Sequence, residues 1–453
     1  MKKNKFYAKG LERFIMEAYS FPVNFFATLI AWLTPIIFFP VLGRNDSFTC
    51  KVLFMGILSI IFFYLILDKK IPLERIGWKK KESLAIKFYT LFIVVSTVFA
   101  LDPVMAFVGY TGRLDGLLTF FFYFAIFFMG HGCRNLKDSF FQGIALSSLI
   151  VASFTISEAL GYRPYTNAVY REIRFLQPVS SMGNRNFLGT YLATTLPFHF
   201  YLAFERKKPF FYISFFTVAG ALAIAQARGP WLGAAAGFLL YAILLIRSGR
   251  LKGKKLWIIP LLCLVLIFAL ILLHYFVDLP FITRFLSIFR DMKAFLIHGF
   301  DATKAGSHRV FVWKKALGIV KHYPIFGVGP ENMQNAMENL FHDDVVRELG
   351  RYLNYDKAHN EYLNIAVSSG IPALLSYLLF VGLCLYRGLG KIHNPAYLVL
   401  FISLFIYLVQ AFFNISVPNT AYLLWLFLGI FSGEKGLATE NGYNQRKESP
   451  NLN

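Results

Sequence analysis

Apolar stretches long enough to cross a bilayer recur along this chain from near residue 20 to residue 432, separated by short polar or basic connections. A membrane-crossing helix needs about 20 mostly apolar residues, so the pattern predicts an all-α polytopic membrane protein. Composition agrees: 57% of residues are hydrophobic, 51 are Phe, 24 are Tyr and only 16% are charged. The first apolar run follows a basic segment and lacks a small-x-small exit, so it reads as an uncleaved span rather than a signal peptide.

Twelve spans are expected, near 20–42, 50–68, 84–101, 117–131, 140–160, 187–204, 210–226, 230–247, 256–277, 361–386, 396–414 and 418–432. An even number puts both termini on one side. Lys and Arg collect at 2–13, at 69–81, at 206–208 and at 247–255, and the positive-inside rule makes that side cytoplasmic. The net charge of +21 would point to nucleic acid in a soluble chain. In a polytopic chain, loop bias and anionic lipid account for it. The exceptions on the outer side are mostly arginines: Arg44, Arg113, Arg163, Arg171, Arg174, Arg185 and Arg228. The four cysteines form no CxxC pair and no metal-site spacing.

This topology divides the chain into a basic cytoplasmic N-terminus (1–19), nine spans (20–277), an outer loop (278–360), three spans (361–432) and a polar cytoplasmic tail (433–453). A loop as long as 278–360 in a compact protein is usually functional. Within it, RVFVWKKALGIVKHYP puts Trp313, Ala316, Leu317 and Val320 on one helical face and Lys314, Lys315 and Lys321 off it. An amphipathic helix suited to the membrane surface is expected there. Tyr323-Pro324 ends it, the glycine-rich FGVGP turn follows, and Pro330 is expected to open a short helix through 332–340.

An arginine at membrane depth is costly and is usually paired or functional. Arg228, in AQARGPWLG, is pinched between two spans, and Arg309 heads the amphipathic helix. Arg185 stands between Asn184 and Asn186, which offer hydrogen bonds to a polar ligand. Arg113 has Asp115 two residues on, an ordinary ion pair. His359, in KAHNEYLNIAVSSGIPALL, sits where a span begins. A helix N-terminus there lowers an imidazole pKa and favours the neutral, proton-accepting form. A boundary histidine and a general base are both open at this point. His308 and His322 compete with it, as do Glu331, Asp343, Asp344, Asp356 and Glu361. No Walker A, dinucleotide-binding glycine pattern or HExxH occurs.

GSHRVFVWKKALGIVKHYPIFGVGPENM followed by AHNEYLNIAVSSGIPALL resembles the O-antigen ligase and O-antigen polymerase superfamily. The likeness lies in the Arg-x-x-x-Trp helix start, the Pro-x-x-Gly-x-Gly-Pro turn, and the His359-Asn360 pair, with ten residues between His359 and Gly370. QARGPWLG, GNRNFLGTYLATTLPF and GYTGRLDGLLTFFFYF resemble further family segments, although Ala227 replaces a usual hydroxyl residue. The resemblance covers roughly 100–415.

It implies a GT-C-like fold in a bacterial inner membrane and an extracytoplasmic active site. The implied reaction moves a glycan from undecaprenyl diphosphate to an acceptor sugar hydroxyl, with inversion and with neither metal nor cofactor. Arg228 and Arg309 then match arginines that hold the donor diphosphate, Arg185 more weakly, and His359 matches the base. Arg113, Asn360 and Glu361 stand as acceptor or supporting residues. The acceptor is a lipid A-core glycan for a ligase, or another repeat unit for a polymerase. Besides membrane lipids no other partner is implied, nucleic acid is not expected, and a monomer is the default. A lipid-linked oligosaccharide flippase fits the span count equally, but transporters place polar groups near the midplane, whereas these arginines gather at the outer face. A peptidoglycan polymerase would share the membrane chemistry with a carboxylate base.

Overall fold

The computed structural model describes residues 22–41, 44–163, 168–169, 178–250, 280–303 and 306–433. The expected span at 256–277, the N-terminus and the polar tail lie outside them. The architecture is helical, with two short antiparallel ribbons pairing 39–41 with 44–46 and 162–163 with 168–169. The helices before the outer loop are α1 (Pro22–Leu33), α2 (Ser47–Leu67), α3 (Lys81–Val98), α4 (Pro103–Val108), α5 (Leu117–Gly132), α6 (Asp138–Ala159), α7 (Arg185–Phe200), α8 (Phe210–Ile224) and α9 (Arg228–Arg247). The outer loop carries α10 (Pro280–His298), α11 (Arg309–His322) and α12 (Met333–Leu349). The chain then runs through α13 (Glu361–Leu389), α14 (Pro395–Ala411) and α15 (Pro418–Ser432).

Four of these, α2, α6, α9 and α13, are long and apolar enough to cross a membrane by themselves. Shorter apolar helices occupy α1, α5, α8 and α14. Helix α15 is apolar nearly all round and buried along its whole length, as a helix inside a bundle must be. It crosses α5 where Gly130 meets Gly429. A Cβ on Gly130 would come 2.3 Å from the Leu426 carbonyl oxygen, and one on Gly429 would come 2.2 Å from that of Phe127. Small residues let helix backbones close to this range in membranes, where packing replaces the hydrophobic drive. Helix α3 packs along α13, and α9 along α14.

The outer loop is a small folded module with its own apolar core of Phe311, Val312, Ala316, Ile319, Met333, Met337 and Val345, closed by Val328, Ala358 and Val367. Its helices depart from expectation in three ways. Helix α11 buries Val312, Lys315, Ala316 and Ile319, while Leu317, placed on the apolar face by sequence, is exposed. Lys315 is buried because Asp344 and Glu348 of α12 neutralise it at 2.8 and 3.0 Å. Helix α12 begins at Met333, with Pro330 left in the preceding turn, and runs to Leu349 rather than stopping near 340. Its polar second half is fixed by those same ion pairs. The surface-amphipathic helix is α10: Phe285, Leu286, Phe289, Met292, Leu296 and Ile297 are exposed, while Arg284, Ser287 and Asp291 (i, i+3, i+7) form its polar stripe.

Helix α13 is broken at Gly370, where φ is +85°. The FGVGP turn docks on the break. Val328 N–H donates to the Val367 carbonyl at 3.0 Å, Gly329 N–H to that of Ser368 at 2.8 Å, and Ile371 N–H to that of Pro324 at 2.8 Å. A Cβ at position 370 would lie 2.0 Å from the Ile325 carbonyl oxygen. Gly370→Ala therefore combines a left-handed backbone cost of about 1–2 kcal/mol with a backbone clash. It is expected to lower the thermal denaturation midpoint in detergent and to abolish activity. A midpoint unchanged from wild type would show the docking to be dispensable.

Candidate active site

The turn between α8 and α9 is as tight as the sequence implied, and it delivers Arg228 at the first position of α9. The guanidinium is buried and points into the outer module. It donates to Ser287 Oγ at 3.0 Å and Ser307 Oγ at 2.9 Å, and pairs with Asp291 Oδ2 at 2.5 Å. Arg309 opens α11 directly after Gly306, Ser307 and His308, all three in the left-handed region. Two of those are non-glycine, a conformation that costs energy and persists only when surroundings enforce it. Gly306 N–H is held by Asp291 at 3.1 Å. The strained turn thus swings Arg309 toward Arg228.

Arg185, at the start of α7, and Arg284, on the polar stripe of α10, complete the group. Burial, and then the charges of Arg228, Arg284 and Arg185, push the Arg309 pKa down to about 10. Arg284 is lowered in the same way, by burial and then by Arg228 and Arg185. Asp291 is the carboxylate that faces all this charge. Arg228 alone makes side-chain hydrogen bonds. The guanidiniums of Arg185, Arg284 and Arg309 make none among the described residues, and Arg284 Nε is buried without a partner. Four guanidiniums against one carboxylate form an anion site, since arginine stays charged and offers a planar fork of donors to phosphate oxygens.

His359 stands just before the α13 cap, itself in the left-handed region at φ +49°. Its Nδ1 is buried with no hydrogen-bond partner. Burial first, and then the positive charges of Arg309, Arg113 and Lys357, lower its pKa to about 4, opposed by Asp356. Burial and these cations thus favour the neutral imidazole.

Arg113 does not join the other arginines. It pairs with Asp356 and with Glu331, the latter at 3.6 Å. Asp115, its expected partner, faces Lys357 at 3.5 Å instead, and Lys357 also pairs with Glu331. Asn360 spends its side-chain oxygen capping α13 through Leu363 N–H at 3.0 Å. Glu361 accepts Ser416 N–H at 2.7 Å. Asn184 caps α7 through Asn186 N–H at 2.8 Å, so it serves the helix rather than a ligand. His322 bonds the Gly318 carbonyl oxygen at 2.9 Å, a structural role. Arg284, Asp291 and Lys357 were not singled out from sequence as site residues, and Glu331 only as a competing base. For Arg284 and Asp291 the signal lay in the i, i+3, i+7 stripe of α10.

Residues 213–378 match the family model described as O-Antigen ligase. This segment belongs to the O-antigen ligase and polymerase superfamily. It runs from α8 into α13 and contains Arg228, Arg284, Arg309 and His359. A curated protein of Haemophilus influenzae (strain ATCC 51907 / DSM 11121 / KW20 / Rd), described as an uncharacterized protein, is 20% identical over 353 residues, covering 77% of this chain and 82% of its own length. The chain is a membrane protein, and this segment of it is of O-antigen ligase or polymerase type.

The lowered pKa predicts the acid limb of kcat/KM. With His359 as the base, protonation removes the base form, so activity should fall as pH drops through about 4 rather than through 6.5. By the same linkage, the stability His359 contributes is complete above pH 6.5 and is lost as pH falls from there toward 4. A pH-rate profile of purified protein in nanodiscs, with His359→Gln alongside, checks this; an acid limb at 6.5 would contradict it.

Proposed function

We propose that the protein is an inverting, metal-independent glycosyltransferase of O-antigen ligase type. It takes its glycan from an undecaprenyl diphosphate donor on the outer face of the bacterial inner membrane, with both termini cytoplasmic. The observation that carries this reading is the meeting of three guanidiniums without hydrogen-bond partners among the described residues with a half-buried imidazole whose buried Nδ1 has no partner among them either.

Arg228, Arg309 and Arg185, joined by Arg284, hold the donor diphosphate. The negative charge of the leaving diphosphate grows as the glycosidic bond breaks. Fixed guanidiniums in a low-dielectric site stabilise that charge more than water does. His359 takes the proton of the acceptor hydroxyl as its oxygen attacks the anomeric carbon from the opposite face, so configuration inverts. The proton ends on the imidazole, the glycan on the acceptor oxygen, and the diphosphate leaves on its prenyl carrier. The exposed apolar face of α10 suits a helix lying at the lipid surface beside the prenyl chain. Arg113, Asn360 and Glu361 support the acceptor side. A repeat-unit polymerase would use the same chemistry and differ only in its acceptor.

Arg228→Ala, Arg309→Ala and His359→Ala are each expected to reduce glycan transfer at least about 100-fold, with normal protein levels in the membrane and unchanged activity in EDTA. Full activity of His359→Ala would remove the base assignment. A strict need for divalent metal would remove the arginines from the metal's role. Movement of lipid-linked glycan across liposomes without bond formation would favour a flippase. Supplying lipid A-core glycan and a second lipid-linked repeat unit in separate assays tells ligase from polymerase.

A further inference from the structure

A cavity opens into the bundle at the start of α13 and continues to solvent through its mouth. Lys357 and Glu361, the residues two before and two after His359, both line it, and Asp115 and Glu331 line it with them. None of the four clustered arginines does. The wall thus carries three carboxylates and one ammonium, the reverse of the charge at the arginine cluster.

The rest of the wall is aromatic and hydroxylic. Tyr89, Tyr377 and Ser369 line the cavity. Each is more than nine-tenths buried, yet none of their hydroxyls has a hydrogen-bond partner among the described residues. These hydroxyls open on the cavity, where a ligand can bond them. Carboxylates and hydroxyls that converge among rings of Tyr89, Phe120, Tyr377 and Trp425 suit a ligand with many hydroxyl donors and apolar ring faces. That is the chemistry of a sugar.

We propose that this cavity binds the terminal sugar of the acceptor glycan, and that its carboxylates select an uncharged sugar over an acidic one. The inference rests on the reading of the protein as a glycosyltransferase and names its second substrate site. Opposite charge on the two sites keeps the substrates in their own places. A diphosphate is drawn to the arginines and repelled by Asp115, Glu331 and Glu361, while a neutral sugar gains most where carboxylates accept from its hydroxyls. A site built on hydrogen bonds also discriminates more sharply than an apolar pocket.

The test uses the full chain in nanodiscs and saturation-transfer NMR with three neutral disaccharides, namely maltose, lactose and N,N′-diacetylchitobiose, against the uronic-acid disaccharide of hyaluronan. At least one neutral probe should exceed the acidic one by about fivefold or more. Tyr377→Phe and Ser369→Ala, which delete only unpartnered hydroxyls, should each cut that signal about threefold. Binding of farnesyl diphosphate to the same samples should be unchanged by both. Silence from all three neutral probes, an equal or stronger acidic signal, or indifference to both substitutions would overturn the cavity assignment. Failure of farnesyl diphosphate to bind the wild-type protein, or binding insensitive to Arg228→Ala, would instead overturn the donor reading, so the two failures are separable.

Discussion

The arrangement depends on how the break in α13 is satisfied. A helix interrupted at membrane depth frees backbone donors and acceptors, and those are tolerated only where protein or a water-lined cavity meets them. Here the outer module meets them. Val328 and Gly329 N–H groups cap the Val367 and Ser368 carbonyls, Pro324 accepts from Ile371, and Ser96 Oγ adds a bond to the Ser368 carbonyl at 2.6 Å. The same turn ties back to the end of α3, where Leu101 N–H donates to the Val328 carbonyl and Asn332 bonds the Asp102 backbone in both directions. The break is therefore the joint between bundle and module. Because His359 lies one short helical segment before it, the joint also fixes the imidazole relative to both.

From that joint the site separates charge. On one side four guanidiniums gather, and among the described residues Asp291 is the carboxylate that faces Arg228, Arg284 and Arg309; on the other, Arg113 and Lys357 pair with Glu331, Asp356 and Asp115. Burial raises the Asp115 pKa, and Lys357 offsets it. The Lys357 ammonium is disfavoured by burial, but Glu331 and Asp115 more than restore it, and its pKa is raised. That side is a paired network with carboxylate in excess. The arginine side is not, and uncompensated buried charge is expensive. A protein holds such charge where a ligand of opposite sign completes it. The strain in the Gly306–His308 turn and at His359 belongs to the same economy: non-glycine residues in the left-handed region accumulate where position matters more than local stability.

Much of this was legible in the chain, and the reasons are physical. Apolar runs report burial or lipid directly, so helix positions were readable from hydropathy, and an arginine without a loop to carry it stands out at any span end. The Pro-x-x-Gly-x-Gly-Pro turn and the spacing from His359 to Gly370 were visible as motifs, but their meaning was not. Only the fold shows that they are the two halves of one docking surface. Sequence failed where a charge changes what a face is. Lys315 reads as solvent-facing until Asp344 and Glu348, some thirty residues away, neutralise it. The buried face of α11 shifts accordingly, and Leu317 turns outward. Asp115 was assigned to Arg113 by proximity in sequence, yet the turn hands it to Lys357.

Helix α10 shows why the position of an amphipathic helix matters more than its existence. Placed at α11, the amphipathic face would have been a lid resting on lipid, with no part in the chemistry. Placed at α10, its apolar face is exposed as a lipid-surface helix requires, while Arg284, Ser287 and Asp291 on the opposite stripe enter the anion site. On the proposed reading, one helix then links the lipid that would take a prenyl chain to the charges that would hold a diphosphate. Its two faces are rigidly coupled, because Ser287 and Asp291 are both bound to Arg228, so α10 cannot tilt in the bilayer surface without moving the arginine cluster. Asp291 also holds the Gly306 turn, which extends that coupling to the turn from which Arg309 projects. Asp291 is thus shared by α10, Arg228 and the Gly306 turn, and together with Ser287 and Ser307 on Arg228 it ties the amphipathic helix, the arginine cluster and the strained turn to one another.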